Sequence, residues 1–371
     1  MPIASRRGLD ERATLLPAEI ASLLDDGFVR SCDLLEEYVA RLVIGIAREA
    51  GIESAMSPAA PVSAVVARAG LDPATAETPV AWVLGMLAAR GLTPPLPQAD
   101  PREIEVEQEA HDPRCLPSYR IAALAARHYP AVLRGEESGE SALFAADHME
   151  AWAAYFSNEN PAYGISNRIA ALPAARALAA SPGAVLELGG GLGSGAVALL
   201  ELLRERGRLD AISRYRFTEI SLPFLRRAQR SLARSFPEAP LDLARLDIDK
   251  PFSEGGVEPG SFALVYGVNV VHVARDLAFT LGEIQKALRP GGTLVAGECV
   301  RPFPGRPIYV ELVFNLLEAF RRPGSGFRTP EQWTAALSAC GFANVRIEPD
   351  VTSVREAYPS LVVAAVTATR P

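Results

Sequence analysis

At 371 residues the chain is too long for one ordinary core and comfortable for two domains of about 100–200 residues each. Apolar residues make up 49% and charged residues 22%, which excludes global disorder. The net charge of −7 argues against nucleic acid or an anionic membrane surface as the main partner.

The chain opens with an Arg6-Arg7 pair, but the apolar core of a signal peptide does not follow it. No apolar run reaches the roughly 18–20 residues of a membrane span. Cys32, Cys115, Cys299 and Cys340 lie far apart without metal-ligand spacing, so we expect free thiols, a reducing cytoplasm and no metal. His111, His128 and His148 likewise have no paired ligand at useful spacing.

Residues 17–52 predict helices, with Leu34, Leu35, Tyr38, Val39, Leu42, Val43 and Ile46 at helical spacing. One short helix is then expected to end near Gly70, and a second to run from the Asp72-Pro73 turn to Gly91. The stretch REIEVEQE alternates apolar and acidic residues, as a strand does. Together residues 55–112 predict a winged helix. Its charges oppose DNA: Arg90 is the only basic residue on the would-be recognition helix, and Glu103, Glu105, Glu107 and Glu109 line the wing. Dimerisation and roofing of an active site are the better roles.

Helical text resumes from 117 to 180. After Ser181-Pro182-Gly183 it changes to strand, loop and helix in repetition: AVLEL, RYRFTEI, PLDLARLDI, SFALVYGV and GTLVAGE predict strands, with helices between most of them. That order implies a parallel sheet covered on both faces. ANVRIEP and LVVAAVTAT, joined by a short connection without a helix, predict an antiparallel pair closing the sheet.

The chemistry concentrates at the strand ends. Val185-Leu186-Glu187-Leu188 runs into Gly189-Gly190-Gly191-Leu192-Gly193, and a helix begins directly after it. Glycines let a backbone approach a ligand closely, and a helix N-terminus adds oriented N–H groups. Glu187, Gly189, Gly191 and Gly193 are therefore candidate cofactor contacts. Glu219, after the second strand, can accept both hydroxyls of a ribose. Asp247, with Ile248 beside it, can accept the exocyclic amine of an adenine or cap its own turn. Asn269 stands next to this edge as a cofactor contact, a donor to an enolate oxygen, or a cap. His272 follows the fourth strand and Glu298 ends the fifth. Neighbouring parallel strands bring the two together, as an imidazole base whose tautomer a carboxylate fixes.

In these pieces the chain resembles the C-methyltransferase domains embedded in modular and iterative polyketide synthases. The matching residues are Tyr155 with Asn160-Pro161, Asn167, the LELGGGLG loop, Phe217-Thr218-Glu219-Ile220-Ser221, Leu246-Asp247-Ile248, Asn269-Val270-Val271-His272, Leu288-Arg289-Pro290-Gly291-Gly292-Thr293-Leu294 and Glu298. Departures are a loop less like GAGTG, Val273-Ala274 in place of Ala-Thr, and Glu219 in place of Asp. The resemblance implies a class I S-adenosylmethionine-dependent methyltransferase with His272 and Glu298 as its base dyad. It also implies a Rossmann-like, doubly wound, mostly parallel seven-stranded sheet. The winged-helix region is similar to that of small-molecule O-methyltransferases, which implies a homodimer through the N-terminal helices.

The expected organisation is a helical, winged-helix-like dimerisation and lid domain over 1–150, linking helices roofing the pocket over 151–180, and the S-adenosylmethionine-binding domain over 181–371. Tyr155, Tyr163 and Asn167, with Tyr309 and Phe314 in the PIYVELVFNLLEAF insertion, are candidate substrate contacts. The leading expectation is C-methylation of an acidic carbon α to a carbonyl, on a small-molecule or carrier-bound natural-product intermediate. Methylation of oxygen or nitrogen by the same histidine, and a non-catalytic cofactor-binding regulator, are the alternatives.

Overall fold

A computed structural model describes residues 15–57, 60–322 and 324–371, so the Arg6-Arg7 segment lies outside the described residues. Two compact units emerge. One contains Tyr163–Phe303 and Phe327–Pro371, with the described part of the segment up to Asp25. The other is Asp26–Ala162 together with Pro304–Gly326.

The first unit is built on seven strands: β1 (Gly183–Leu188), β2 (Ile212–Thr218), β3 (Leu241–Ala244), β4 (Phe262–Val268), β5 (Leu288–Cys299), β6 (Ala343–Glu348) and β7 (Val363–Thr369). They lie in the order β3-β2-β1-β4-β5-β7-β6. The first five are parallel, and β7 is antiparallel to both β5 and β6. This is the doubly wound, mostly parallel seven-stranded sheet that the alternation of strands and helices predicts.

A strand covered on both faces must be apolar on both. Val185 and Leu186 are adjacent on β1 and enter two different cores. Leu186 joins Val265, Leu294, Trp333 and Leu337; Val185 joins Leu264, Val295, Leu199 and Ala174. Helix Pro161–Ala180 sits close on the sheet because Gly297 offers no side chain there. A Cβ on Gly297 would lie 2.8 Å from that of Ala170 and 3.2 Å from the Ser166 carbonyl.

The second unit is helical. Helix Asp26–Glu49 buries Leu34, Leu35, Tyr38, Val39, Val43 and Ile46, as the spacing requires. Helices Val62–Arg68 and Pro73–Ala89 form the expected pair, the second capped by Asp72 accepting from Ala74 N–H at 3.0 Å. The wing does not form. Pro101–His111 is an α-helix started by Asp100 and Pro101, not a strand. Its apparent alternation comes from two apolar residues with different fates: Ile104 is 7% exposed and Val106 is 51% exposed. The buried partner of Ile104 is Gln108, four residues on, which is helical spacing. Among the described residues every named strand belongs to the one sheet. No helix there is long and apolar enough to cross a membrane.

Candidate active site at the carboxyl edge of the sheet

Strand order reverses between β1 and β4, and in open α/β sheets the crevice outside the carboxyl ends at such a point takes the ligand. Register brings the candidates there. Leu188 of β1 pairs with Gly267 of β4, and Val268 pairs with Gly297 of β5. The glycine loop, the Asn269–His272 turn and Glu298 therefore leave three neighbouring strands at one level.

The loop is left-handed at Gly189 (φ 54°), Gly191 (φ 57°) and Gly193 (φ 94°), conformations that side chains resist. Gly189 and Gly190 are also pressed from below. A Cβ would lie 2.3 Å from Val270 at the first and 2.2 Å from the Phe217 ring at the second. At Gly191 a Cβ would meet nothing within 4 Å, so the backbone there faces open space. Helix Ser194–Glu205 follows.

Glu219 is buried, and one carboxylate oxygen braces the loop while the other holds its own turn. Gly191 N–H donates to Oε2 at 2.9 Å, and Ser221 N–H donates to Oε1 at 2.8 Å. An ionised carboxylate has about four acceptor sites, so capacity is left for ribose hydroxyls. Glu187 lies against the first turn of helix Ser194–Glu205, where a Cβ on Gly195 would come within 2.9 Å of its Oε1. It accepts from the Tyr215 hydroxyl at 2.8 Å, and burial pushes its carboxyl up to about 8, against the bonds from Tyr215 and the Ala196 N–H. Asp247 caps its own turn through Asp249 N–H at 3.0 Å. Ile248 packs partly into the core, and its carbonyl accepts from the Thr280 hydroxyl.

Asn269 holds φ at 54°, unusual for a residue with a side chain. Its N–H donates to the Gly297 carbonyl at 2.7 Å. Its side chain meets Tyr163, whose phenol is pushed up chiefly by burial although part of the residue is accessible. His272 lies in the 3-10 turn Val271–Val273 and is 3% exposed, while Glu298 is fully buried. His272 Nδ1 is hydrogen-bonded to Glu298 Oε2, and Val271 N–H donates to Oε1 at 3.0 Å. A carboxylate held at both oxygens fixes the ring, and Nε2 becomes its basic atom.

The first unit thus brings together Glu187, the glycine loop, Glu219, Asn269, His272, Glu298 and Tyr163, with Asn167 buried on the same helix as Tyr163. Tyr155, Tyr309 and Phe314 belong to the helical unit. There Tyr155 packs edge-on to Trp152 at 5.5 Å, and Phe314 stacks on Phe320 at 5.2 Å. Sequence reasoning missed Tyr215, Phe327 and Arg328, which reach the site only through tertiary contact and leave no local pattern to read. Among the described residues no group of three or more His, Cys, Asp or Glu side chains is placed to hold a metal ion.

A family model described as a methyltransferase domain matches residues 186–294. Polyketide synthase ThaQ of Burkholderia thailandensis is 33% identical over 169 residues, which cover 43% of this chain and 8% of that protein. A highly reducing polyketide synthase of Dothideomycetidae sp. is 31% identical over 166 residues, covering 43% of this chain and 6% of the relative. The chain therefore spans a small part of the curated relatives it matches. Among solved structures, CurJ carbon methyltransferase superposes with TM-score 0.73 at 22% identity, covering 98% of this chain and 96% of the other. DszA carbon methyltransferase gives 0.72 at 21%, covering 99% and 97%. Trans-methyltransferase CalH, solved with SAH, gives 0.62 at 20%, covering 90% of each. Residues 186–294 are a methyltransferase domain, and the chain has the fold of these carbon methyltransferases.

Proposed function

We propose that this chain is an S-adenosylmethionine-dependent carbon methyltransferase acting on an acidic carbon α to a carbonyl in a polyketide-type intermediate. The observation that carries this reading is the buried His272–Glu298 pair, one strand away from a glycine loop whose backbone is bare at Gly191. The loop and Glu219 suit an adenosyl ligand: left-handed glycines without side chains let a ligand approach the backbone closely, and the carboxylate keeps acceptor sites for a ribose. When bound, S-adenosylmethionine supplies an electrophilic methyl group on a positively charged sulfur. His272 Nε2 takes the proton from the acidic C–H, and Glu298 holds the Nδ1 proton and offsets the imidazolium charge. Asn269, held against Tyr163, is suited to hydrogen-bond the enolate oxygen. The acceptor is a small molecule or a carrier-bound intermediate. None of the four cysteines is in a disulfide, which suits a reducing cytoplasm.

Two measurements test this. With trideuteromethyl-labelled donor and a panel of β-keto thioesters, α-keto acids and phenols, mass spectrometry and carbon NMR are expected to find the label on carbon. Label on oxygen alone would make His272 the base for a hydroxyl instead. His272→Ala is expected to lose about 10²–10⁴-fold in turnover while still binding S-adenosylhomocysteine. Unchanged turnover would remove His272 from the mechanism.

A further inference from the structure

After residue 326 the chain returns to the sheet as a short strap. Arg328 forms a parallel bridge with Val300, just past the end of β5. Arg301 ties the strap down twice: its N–H donates to the Arg328 carbonyl and its Nε to that of Phe327, both at 2.9 Å. The next residue, Thr329, starts helix Pro330–Ala339 with a capping box. The strap's own backbone is thus fixed on both sides, two to three residues from Glu298.

The Phe327 side chain packs on the base, and that of Arg328 lies within reach of the charge of Glu298. The Phe327 ring centroid is 4.8 Å from that of His272, with the planes tilted by 44°. The Arg328 guanidinium lies 5.5 Å from the Trp333 ring centroid, within cation–π range. Burial lowers the basicity of Arg328, and the charge of Glu298 works against that effect. The charge of Glu298 also acts on the Tyr163 phenol, which burial holds un-ionised.

We propose that Phe327 and Arg328 are positioning residues for the base: Phe327 sets the plane of the His272 ring, and Arg328 holds the pair as carboxylate and neutral imidazole. The proposal rests on His272 being the base. A buried histidine–carboxylate pair can rest as imidazolium and carboxylate, a form that cannot accept a proton. A neighbouring guanidinium opposes a second positive charge on the ring and favours the anion on the carboxylate. Both effects act in the direction general-base catalysis needs. Arginine suits the task, because its guanidinium stays charged even where burial lowers its basicity.

The test compares pH–rate profiles of the full chain carrying Arg328→Gln, Arg328→Lys or Phe327→Ala with wild type, after checking melting temperature and S-adenosylhomocysteine affinity. Arg328→Gln is expected to move the acid limb of kcat to higher pH by about one unit, with the affinity unchanged. Arg328→Lys is expected to bring the limb back, and Phe327→Ala to lower kcat about tenfold without moving it. A superimposable limb in Arg328→Gln overturns the proposal. Should that variant fold poorly, Arg328→Met keeps the stem and makes the same neutral change. Histidine-labelled nitrogen NMR gives a readout that needs no turnover, with the His272 signal assigned by its loss in His272→Ala. The ring should titrate at higher pH in the neutral variants, and an unmoved titration overturns the proposal. If His272→Ala keeps wild-type turnover, the base assignment falls separately, and the titration still reports on Arg328 alone.

Discussion

Glu187 lies next to the end of β1 with its carboxyl against Gly195 of the following helix, where burial pushes it up to about 8. An unfolded chain releases that proton near the ordinary glutamate value, about 4.3. The folded state therefore binds the extra proton between roughly pH 4 and 8, and linkage makes stability fall as pH rises through this window. Melting temperature is expected to decline from pH 5 to 8 more steeply in wild type than in Glu187→Gln. Equal slopes would mean that Glu187 does not titrate there. Glu298 has a different part in the proposed mechanism, where it orients the ring beside it. Glu298→Gln is expected to lower turnover about as much as His272→Ala, and the double variant little further, because residues acting as a unit are not additive. Additive losses in the kinetics would separate the two roles. His272 and Glu298 were legible in the sequence because each stands close to the end of a recognisable strand. Tyr215, which bonds Glu187, was not, since nothing local marks which tyrosine of a strand faces a neighbouring carboxylate.

The glycine loop is an element with two sides, and substitution can tell them apart. Gly190→Ala drives a methyl to 2.2 Å from the Phe217 ring, so it should both lower the melting temperature and weaken S-adenosylhomocysteine binding. Gly191→Ala meets no protein atom and strains only a left-handed backbone, a cost of about 1–2 kcal/mol. If calorimetry finds ligand affinity lost at Gly191 with little change in stability, the ligand occupies the open space there. Retained affinity would move it elsewhere. Helix Pro101–His111 offers a parallel contrast: Ile104→Ser should destabilise by about 1–3 kcal/mol and Val106→Ser hardly at all, measured by denaturant unfolding. A strand would have put both side chains on one face. Elements with several turns or a buried apolar run, such as Asp26–Glu49 and β1, were legible from periodicity. The eight-residue REIEVEQE was too short for period alone, and the Asp100-Pro101 start was the stronger signal.

At the scale of the molecule, the helical unit is completed by a segment inserted between β5 and β6. Trp82 Nε1 donates to the Ile308 carbonyl at 3.0 Å, Leu312 and Leu316 are fully buried, and Gly139 touches the Leu316 carbonyl so closely that a Cβ would sit 2.0 Å away. Replacing residues 304–326 by a short flexible linker is therefore expected to remove hydrogen-exchange protection from helices Pro73–Ala89 and Leu116–Leu133. Unaltered protection would show that the insertion is not part of that core. The sheet carries a similar dependence on late chain. β7 lies inside it, between β5 and β6, so β6 has no ladder partner but β7 among the described residues. On a ribosome, Cys299 emerges 70 residues before Thr369, a delay of about 4–14 s at ordinary elongation rates. For that interval β5, which carries Glu298, has one bare edge, and the nascent chain must be kept from pairing with strangers until its own seventh strand arrives.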